Sequence, residues 1–143
     1  MKSISIALFA FLFVPQLWSS NFPETQKKAK TTHQLILVNF SGSDWCGPCI
    51  RLREEIFEST VFEKYASTNL LLVRADFPRQ KKNQLSKEQV KLNESLAEQY
   101  NKDGRFPFTL LVDENGKVLK TWDGYPDETP EQFISDIVKI STK

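Results

Sequence analysis

The stretch LILVNFSGSDWCGPCIRLREEIF, residues 35–57, decides the fold of this chain. Its first six residues, LILVNF, form a continuous apolar run with β-branched members, which is typical of a strand buried in a parallel sheet. The apolar residues that follow Pro48 recur at helical spacing; they are Ile50, Leu52, Ile56 and Phe57. The stretch therefore predicts a buried strand, a turn that carries both cysteines of the chain, and an amphipathic helix.

The remaining segments extend this unit into an α/β domain. LLLVRADF, residues 70–77, predicts a second buried strand, which a helical connection makes parallel to the first. A helix is predicted from the N-cap Ser86 to Tyr100, and FPFTLLVDENGKVLKTW, residues 106–122, predicts a β-hairpin. Thr129 and Pro130 open a last helix. The predicted order is β-α-β-α-β-β-α, with a central mixed sheet and helices on both faces.

Length and charge exclude some classes of protein. A chain of 143 residues with 40% hydrophobic content is long enough for one core and too short to indicate two. The formal net charge is +1, and the basic runs KKAK (27–30) and RQKK (79–82) are short, without a recognised nucleic-acid motif beside them. We therefore predict one globular domain that does not bind nucleic acid.

The first twenty residues, MKSISIALFAFLFVPQLWSS, have the layout of a secretory signal peptide. The apolar run from Ile4 to Val14 is shorter than the roughly 20 residues of a membrane-spanning helix, so a retained anchor is only the alternative. We predict an extracytoplasmic protein, periplasmic or secreted, with no stable membrane insertion after signal cleavage. Residues 21–34 are predicted to be a polar leader or a weakly packed short helix, and residues 35–143 the folded domain.

The two cysteines, Cys46 and Cys49, admit three uses. A structural zinc site needs four ligands, and His33 is the single histidine, so we predict no metal site. A disulfide across two intervening residues closes a very short loop and removes little entropy from the unfolded chain, which makes it a poor structural staple. The third use, a redox pair, is the one that explains the surrounding residues.

A helix that begins near Pro48 places Cys46 at its N-terminus. Unpaired N–H groups and the positive end of the helix dipole stabilise a thiolate there, which lowers the pKa of Cys46. Cys46 is then the nucleophile toward a substrate disulfide, and Cys49, about one turn inside the helix, is the resolving thiol. Gly47 leaves room for another chain, and Pro48 is tolerated in the first turn because its missing N–H has no partner there anyway.

The pentapeptide WCGPC, between a buried strand and an amphipathic helix, resembles the active site of the thioredoxin family. The resemblance covers about residues 35–140, and the chain is most similar to small extracytoplasmic thioredoxin-like proteins and to the C-terminal domain of thiol:disulfide interchange proteins. It implies a three-layer α/β sandwich and a thiol-disulfide oxidoreductase without a cofactor. It also implies that Trp45 lies beside the site and that Pro107 is a cis-proline presenting backbone to the substrate; a trans proline opening an edge strand is the alternative.

Two features depart from the family's pattern. Asn39 occupies the position where thioredoxins carry a buried Asp, and since Asn cannot accept the proton of Cys49, Asp44 and Asp76 become candidates by proximity in sequence. The polar insertion at residues 78–89 is longer than the matching connection in thioredoxin; it is either a tolerated surface loop or a docking surface.

The direction of electron flow follows only from the resemblance. Gly-Pro between the cysteines resembles the reducing members of the family, so we predict a reductase of protein disulfides. A reductase in an oxidising compartment implies a membrane electron donor. The alternatives are an oxidant or isomerase of secreted proteins, and a binding module with this fold that has no redox turnover.

Overall fold

The computed structural model describes residues 16–143 and arranges them around a five-stranded mixed sheet. The spatial order of the strands is β1-β3-β2-β4-β5, where β1, β3 and β2 are parallel, β4 is antiparallel to β2, and β5 is antiparallel to β4. The predicted mixed sheet is confirmed. The strands are β1 (Trp18–Ser19), β2 (Leu35–Ser41), β3 (Leu70–Asp76), β4 (Phe108–Val112) and β5 (Val118–Asp123).

Helices cover both faces of the sheet, so the three-layer α/β sandwich is confirmed as well. Buried residues of α1 and α4 pack on one face, and those of α2, α3 and α5 pack on the other. Helix α2 continues directly into a π-helical turn, Arg53–Phe57. The helices are α1 (Phe22–Thr32), α2 (Gly47–Leu52), α3 (Thr60–Asn69), α4 (Lys87–Tyr100) and α5 (Pro130–Ser141), with a short 3-10 turn at Lys81–Asn83.

Local sequence accounts for where the elements begin. The side chain of Ser86 accepts a hydrogen bond from the Gln89 N–H at 3.1 Å and caps α4 as predicted. Thr129 and Gln132 form a reciprocal capping box at the start of α5. Gly116 has a φ of 83° in the turn of the hairpin, a conformation that glycine adopts without steric cost.

An aromatic cluster holds the cysteine-bearing helix on the sheet. The ring of Phe133 from α5 lies 4.6 Å from Trp122, 5.8 Å from Phe57 and 6.0 Å from Phe62, measured between centroids. Phe57, Phe62 and Phe133 are at most 1% exposed. Because Phe57 ends the π-helical turn that continues α2, this packing fixes the direction in which α2 starts.

The expectation that residues 21–34 pack weakly is wrong. Residues 22–32 form α1, whose N-cap Asn21 accepts a hydrogen bond from the Glu24 N–H at 3.1 Å. Phe22, Thr25 and Ala29 are buried against the sheet, and Phe22 meets the ring of Tyr100 at 5.7 Å. These three residues lie on one face of the helix, and the many polar residues between them hide the pattern in the sequence.

The predicted signal peptide falls largely on residues 1–15, which lie outside the described residues. Within residues 16–20, however, Trp18 and Ser19 form β1 and pair with Leu72 and Val73 of β3. The Trp18 ring lies 5.0 Å from that of Phe57, and the Arg74 guanidinium lies 4.2 Å from its centroid. Trp18 and Ser19 are therefore part of the described sheet, and the Trp18 indole packs partly buried against the core. Across residues 16–143, every helix is too short or too polar to cross a bilayer.

Candidate active site at the Cys46–Cys49 pair

Cys46 and Cys49 form a disulfide at the point where β2 passes into α2. Their Cα atoms are 5.2 Å apart, and both residues are buried, at 5% and 3% exposure. Cys46 is the N-cap of α2, and the Cys49 N–H donates to the Cys46 sulfur at 3.3 Å. The Gly42 N–H points at the Cys49 sulfur at 3.5 Å. Each sulfur thus has a backbone donor that would stabilise a thiolate.

The surface above the disulfide is open at Gly47 and Pro48, which are both exposed. A Cβ built on Gly47 would meet no atom of this chain within 4 Å. The glycine is therefore not required by packing within the domain. The free space lies next to Cys46, where another polypeptide chain would have to approach.

Trp45 is held rigidly beside the cysteines. Its Nε1 donates to the carbonyl of Phe77 at 2.7 Å, and its ring meets Phe106 edge-on at 5.5 Å. A Cβ on Gly42 would collide with the indole, so the ring lies directly against the Gly42 backbone. The other contact is the guanidinium of Arg79, which lies 3.5 Å from the ring centroid.

The Phe106–Pro107 peptide bond is cis, as the resemblance implies. Phe108 pairs with Phe40 near the end of β2, so Pro107 lies at the edge of the sheet from which the cysteine turn departs. The Pro107 carbonyl accepts a hydrogen bond from the Gly124 N–H at 2.9 Å. The cysteine turn, the Pro107 segment and the loop after β5 thus meet at one edge. The substrate-binding roles of Trp45, Gly47, Pro48 and Pro107 stay predictions.

The carboxylates predicted to accept the proton of Cys49 form hydrogen bonds with other groups. Asp76 accepts hydrogen bonds from the N–H and the hydroxyl of Ser43, at 2.9 and 2.5 Å, and so fixes the turn. Asn39 is 3% exposed and its Nδ2 donates to the Thr109 hydroxyl at 3.1 Å. Among the described residues, no hydrogen bond joins Asp44 or Asp76 to Cys49. The structure therefore does not support Asp44 or Asp76 as the proton acceptor for Cys49.

Asp44 instead clamps the polar insertion to the cysteine turn. Its carboxylate accepts hydrogen bonds from the N–H groups of Arg79 and Gln80, both at 2.9 Å, and from the Asn83 side chain at 3.0 Å. These bonds, that from Arg79 foremost, hold the pKa of the Asp44 carboxyl below its usual range. The insertion is therefore fastened to a residue two positions before Cys46.

We expect Asp44→Ala to release this loop while the domain stays folded. Amide hydrogen exchange, followed by NMR, should become about fivefold to tenfold faster at Arg79 and Gln80, because each N–H loses its hydrogen-bond acceptor. In the unaltered protein the clamp is present above the ordinary carboxyl pKa of 3.8 and is lost only as pH falls through the lowered folded value. Protection of both amides, corrected for intrinsic exchange, should therefore persist at pH 3.8.

Asp127→Ala, the same change at an exposed carboxylate, is the control and should leave exchange at Arg79 and Gln80 unchanged. Equal exchange in Asp44→Ala and the unaltered protein would contradict the clamp.

A second polar cluster ties α2 to the loop after β5. The Tyr125 hydroxyl donates to the Glu55 carboxylate, while Arg51 pairs with Glu55 at 3.1 Å and lies 4.3 Å from the Tyr125 ring centroid. The hydrogen bonds from Tyr125 and Arg51 hold the pKa of Glu55 low, and the bond to Glu55 raises the pKa of Tyr125. This cluster joins the helix that begins at the disulfide to the loop that also contacts Pro107 through Gly124.

Several residues of the site were missed by sequence reasoning. They are Gly42, Arg79 and Phe106 around Trp45, and Arg51 and Glu55 beside Tyr125. Of these residues, only Gly42 could have been recognised from the sequence, since a glycine shortly before Trp45 allows the indole to lie against the backbone. Within residues 16–143, no three His, Cys, Asp or Glu side chains are grouped to hold a metal ion.

Comparisons with known proteins agree with this geometry. The family model described as "Thioredoxin-like domain" matches residues 22–138. Disulfide bond reductase DsbH of Chlamydia pneumoniae is 37% identical over 102 residues, which are 71% of this chain and 59% of that protein. Thioredoxin-related protein DsbJ of the same organism is 36% identical over 61 residues, 43% of this chain and 18% of that protein.

The solved structure named DsbH Oxidoreductase superposes with a TM-score of 0.78 at 31% identity, covering 86% of this chain and 82% of that one. The sequence matches cover only part of the curated relatives: 59% of DsbH and 18% of DsbJ.

Proposed function

The chain belongs to the thioredoxin-like domain family, and from that premise we propose that it is a thiol-disulfide oxidoreductase that reduces disulfides of protein substrates. The observation that carries the proposal is the bridged pair at the start of α2. There the Cys49 N–H points at the Cys46 sulfur and the surface over Gly47 is open. The arrangement supplies a stabilised thiolate at a place that a second chain can reach.

The first chemical step starts from the reduced pair. The Cys46 thiolate attacks one sulfur of the substrate disulfide, the substrate S–S bond breaks, and the second substrate sulfur leaves as a thiolate that takes up a proton. Cys46 and the substrate are now joined by a mixed disulfide. The α2 N-terminus and the Cys49 N–H favour Cys46 as the attacking group because they stabilise its negative charge.

The second step closes the internal bridge. Cys49, as its thiolate, attacks the Cys46 sulfur, and the first substrate sulfur leaves and is protonated. The substrate gains two electrons and two protons, and the pair ends as the Cys46–Cys49 disulfide. The Gly42 N–H stabilises the Cys49 thiolate. Because Asn39 has no basic group, the proton of Cys49 goes to water or to another group.

Substrate binding is proposed for the surface around the bridge. Trp45 forms one wall, Gly47 and Pro48 leave the approach open, and Pro107 lies at the same edge of the sheet. Rigid backbone beside the reactive sulfur holds a substrate chain in an orientation suited to attack.

Reduction is the favoured direction. The Gly-Pro pair between the cysteines resembles reducing members of the family, and a relative 37% identical over 102 residues is named a disulfide bond reductase. The likeness to a disulphide isomerase of Xylella fastidiosa, at 19% identity, shows the fold alone. We further propose that the protein works outside the cytoplasm and is re-reduced by a membrane electron donor.

The reduction potential of the pair tests the direction. The protein is equilibrated with dithiothreitol or glutathione buffers, and free thiols are trapped and counted by mass spectrometry. We expect a value near that of thioredoxin, about −270 mV. A value near −120 mV, that of strong oxidants of this fold, would contradict a reductase and favour an oxidant of secreted proteins.

A further inference from the structure

Positively charged side chains are clustered in residues 78–87, PRQKKNQLSK, although the whole chain is nearly neutral. We call this segment the basic loop. It contains four cations and no acidic residue, whereas the whole chain has a net charge of +1. All four cations are exposed, and none forms an ion pair with another residue of the described chain. They are Arg79, Lys81, Lys82 and Lys87.

The basic loop is held against the active site. Asp44 accepts hydrogen bonds from Arg79, Gln80 and Asn83, and the Asp44 carbonyl accepts a further one from the Gln80 side chain at 3.1 Å. The Arg79 guanidinium lies on the Trp45 ring, which is itself bonded to the Phe77 carbonyl. A charged surface that is already ordered loses little entropy when a partner binds.

The loop lies within reach of a bound substrate chain. Trp45 directly precedes Cys46 and carries the Arg79 guanidinium on its ring. Because consecutive Cα atoms are about 3.8 Å apart, a polypeptide whose sulfur contacts Cys46 can reach Arg79 within a few residues. The arginines of the other segments near the site form ion pairs: Arg51 of α2 pairs with Glu55, and Arg105 before Pro107 pairs with Asp123. The unpaired positive charge therefore lies on the Trp45 side of the disulfide.

We propose that the basic loop is a docking surface for an acidic segment of the substrate polypeptide, one that carries Asp or Glu close in sequence to its reactive disulfide. This inference rests on the proposed function and names the substrate class of the same site. Complementary charge raises the association rate and selects among partners, while the attack by Cys46 itself stays the same.

Two synthetic peptides test this docking surface. They share one intramolecular disulfide and differ in the residues after the second cysteine, three Glu in one and three Lys in the other. The second-order rate constant for reduction by the pre-reduced protein is measured for each at about 20 mM and about 500 mM salt, which span weak and strong screening. We expect the acidic peptide to react about tenfold faster than the basic one at low salt, and nearly equally at high salt.

Charge variants locate the effect. Lys81→Glu combined with Lys82→Glu should reduce the acidic-to-basic ratio to about one or invert it, and the milder change of both to Gln should give an intermediate ratio. Lys27→Glu combined with Lys28→Glu makes the same charge change on exposed neighbours in α1 and should keep the ratio.

Each other outcome has a definite meaning. Equal rates for the two peptides at low salt, or a ratio that Lys81 and Lys82 do not alter, would overturn the docking surface and leave the proposed function standing. Failure of the protein to reduce either peptide, together with failure on bis(2-hydroxyethyl) disulfide, a small neutral disulfide, would overturn the proposed function and the docking surface with it.

Discussion

Cys46→Ser is expected to abolish turnover on protein disulfides, with a loss of at least about a thousandfold in the rate of reduction. A serine hydroxyl at the start of α2 is not ionised near neutral pH, so the N–H of Cys49 and the helix N-terminus have no thiolate to stabilise. The measurement is the rate of thiol release from a disulfide-bonded protein substrate, with dithiothreitol as the electron source and the uncatalysed rate subtracted.

Cys49→Ser is the paired variant and should behave differently. Cys46 can still attack, but the mixed disulfide has no resolving thiol, so the covalent complex with substrate should accumulate and be visible by mass spectrometry. Cys46→Ser should form no such complex. If Cys46→Ser retained its partner affinity and its cellular role, the protein would be a binding module that does not use its disulfide.

The largest expected loss of stability comes from Phe133→Ala. Phe133 is fully buried and packs against Phe57, Phe62 and Trp122, so truncation leaves a cavity among rings that cannot all move inward. We expect a decrease of about 3–5 kcal/mol in the free energy of unfolding, measured by urea denaturation of the oxidised protein.

Val138→Ala on the same helix is the control. Val138 is 38% exposed, so its truncation should change stability by no more than about 0.5 kcal/mol. A loss below about 1 kcal/mol for Phe133→Ala would show that the aromatic cluster repacks around the smaller residue, and that it does not hold α2 rigidly.

Most of the fold could be predicted from local patterns in the sequence. The apolar run of β2, the caps Ser86 and Thr129, and the hairpin turn at Gly116 each depend on residues within a few positions, so they could be recognised without tertiary contacts. Helix α1 could not be judged in this way. Only three of its 11 residues are buried, and what they pack against is distant in the chain.

The cysteine pair and its cis-proline were predictable because a short motif and a resemblance point to them. The surroundings of Trp45 were not, because the bond to the Phe77 carbonyl spans 32 positions and the stacking of Arg79 depends on the path of an insertion. Proximity in sequence also misled: Asp44 and Asp76 lie near the cysteines in the chain, yet both carboxylates hold backbone of the surrounding loops.

Strand β1 lies where the predicted signal peptide would end. A cut after Ser20 would remove Trp18 and leave Leu72 and Val73 of β3 without their neighbours at the outer side of the sheet. An uncovered apolar strand, LLLVRAD, offers its N–H and C=O groups to the same strand of a second molecule. If the predicted signal peptide is removed, cleavage before Gln16 would keep the pairing of β1 with Leu72 and Val73, whereas cleavage after Ser20 would favour self-association through β3.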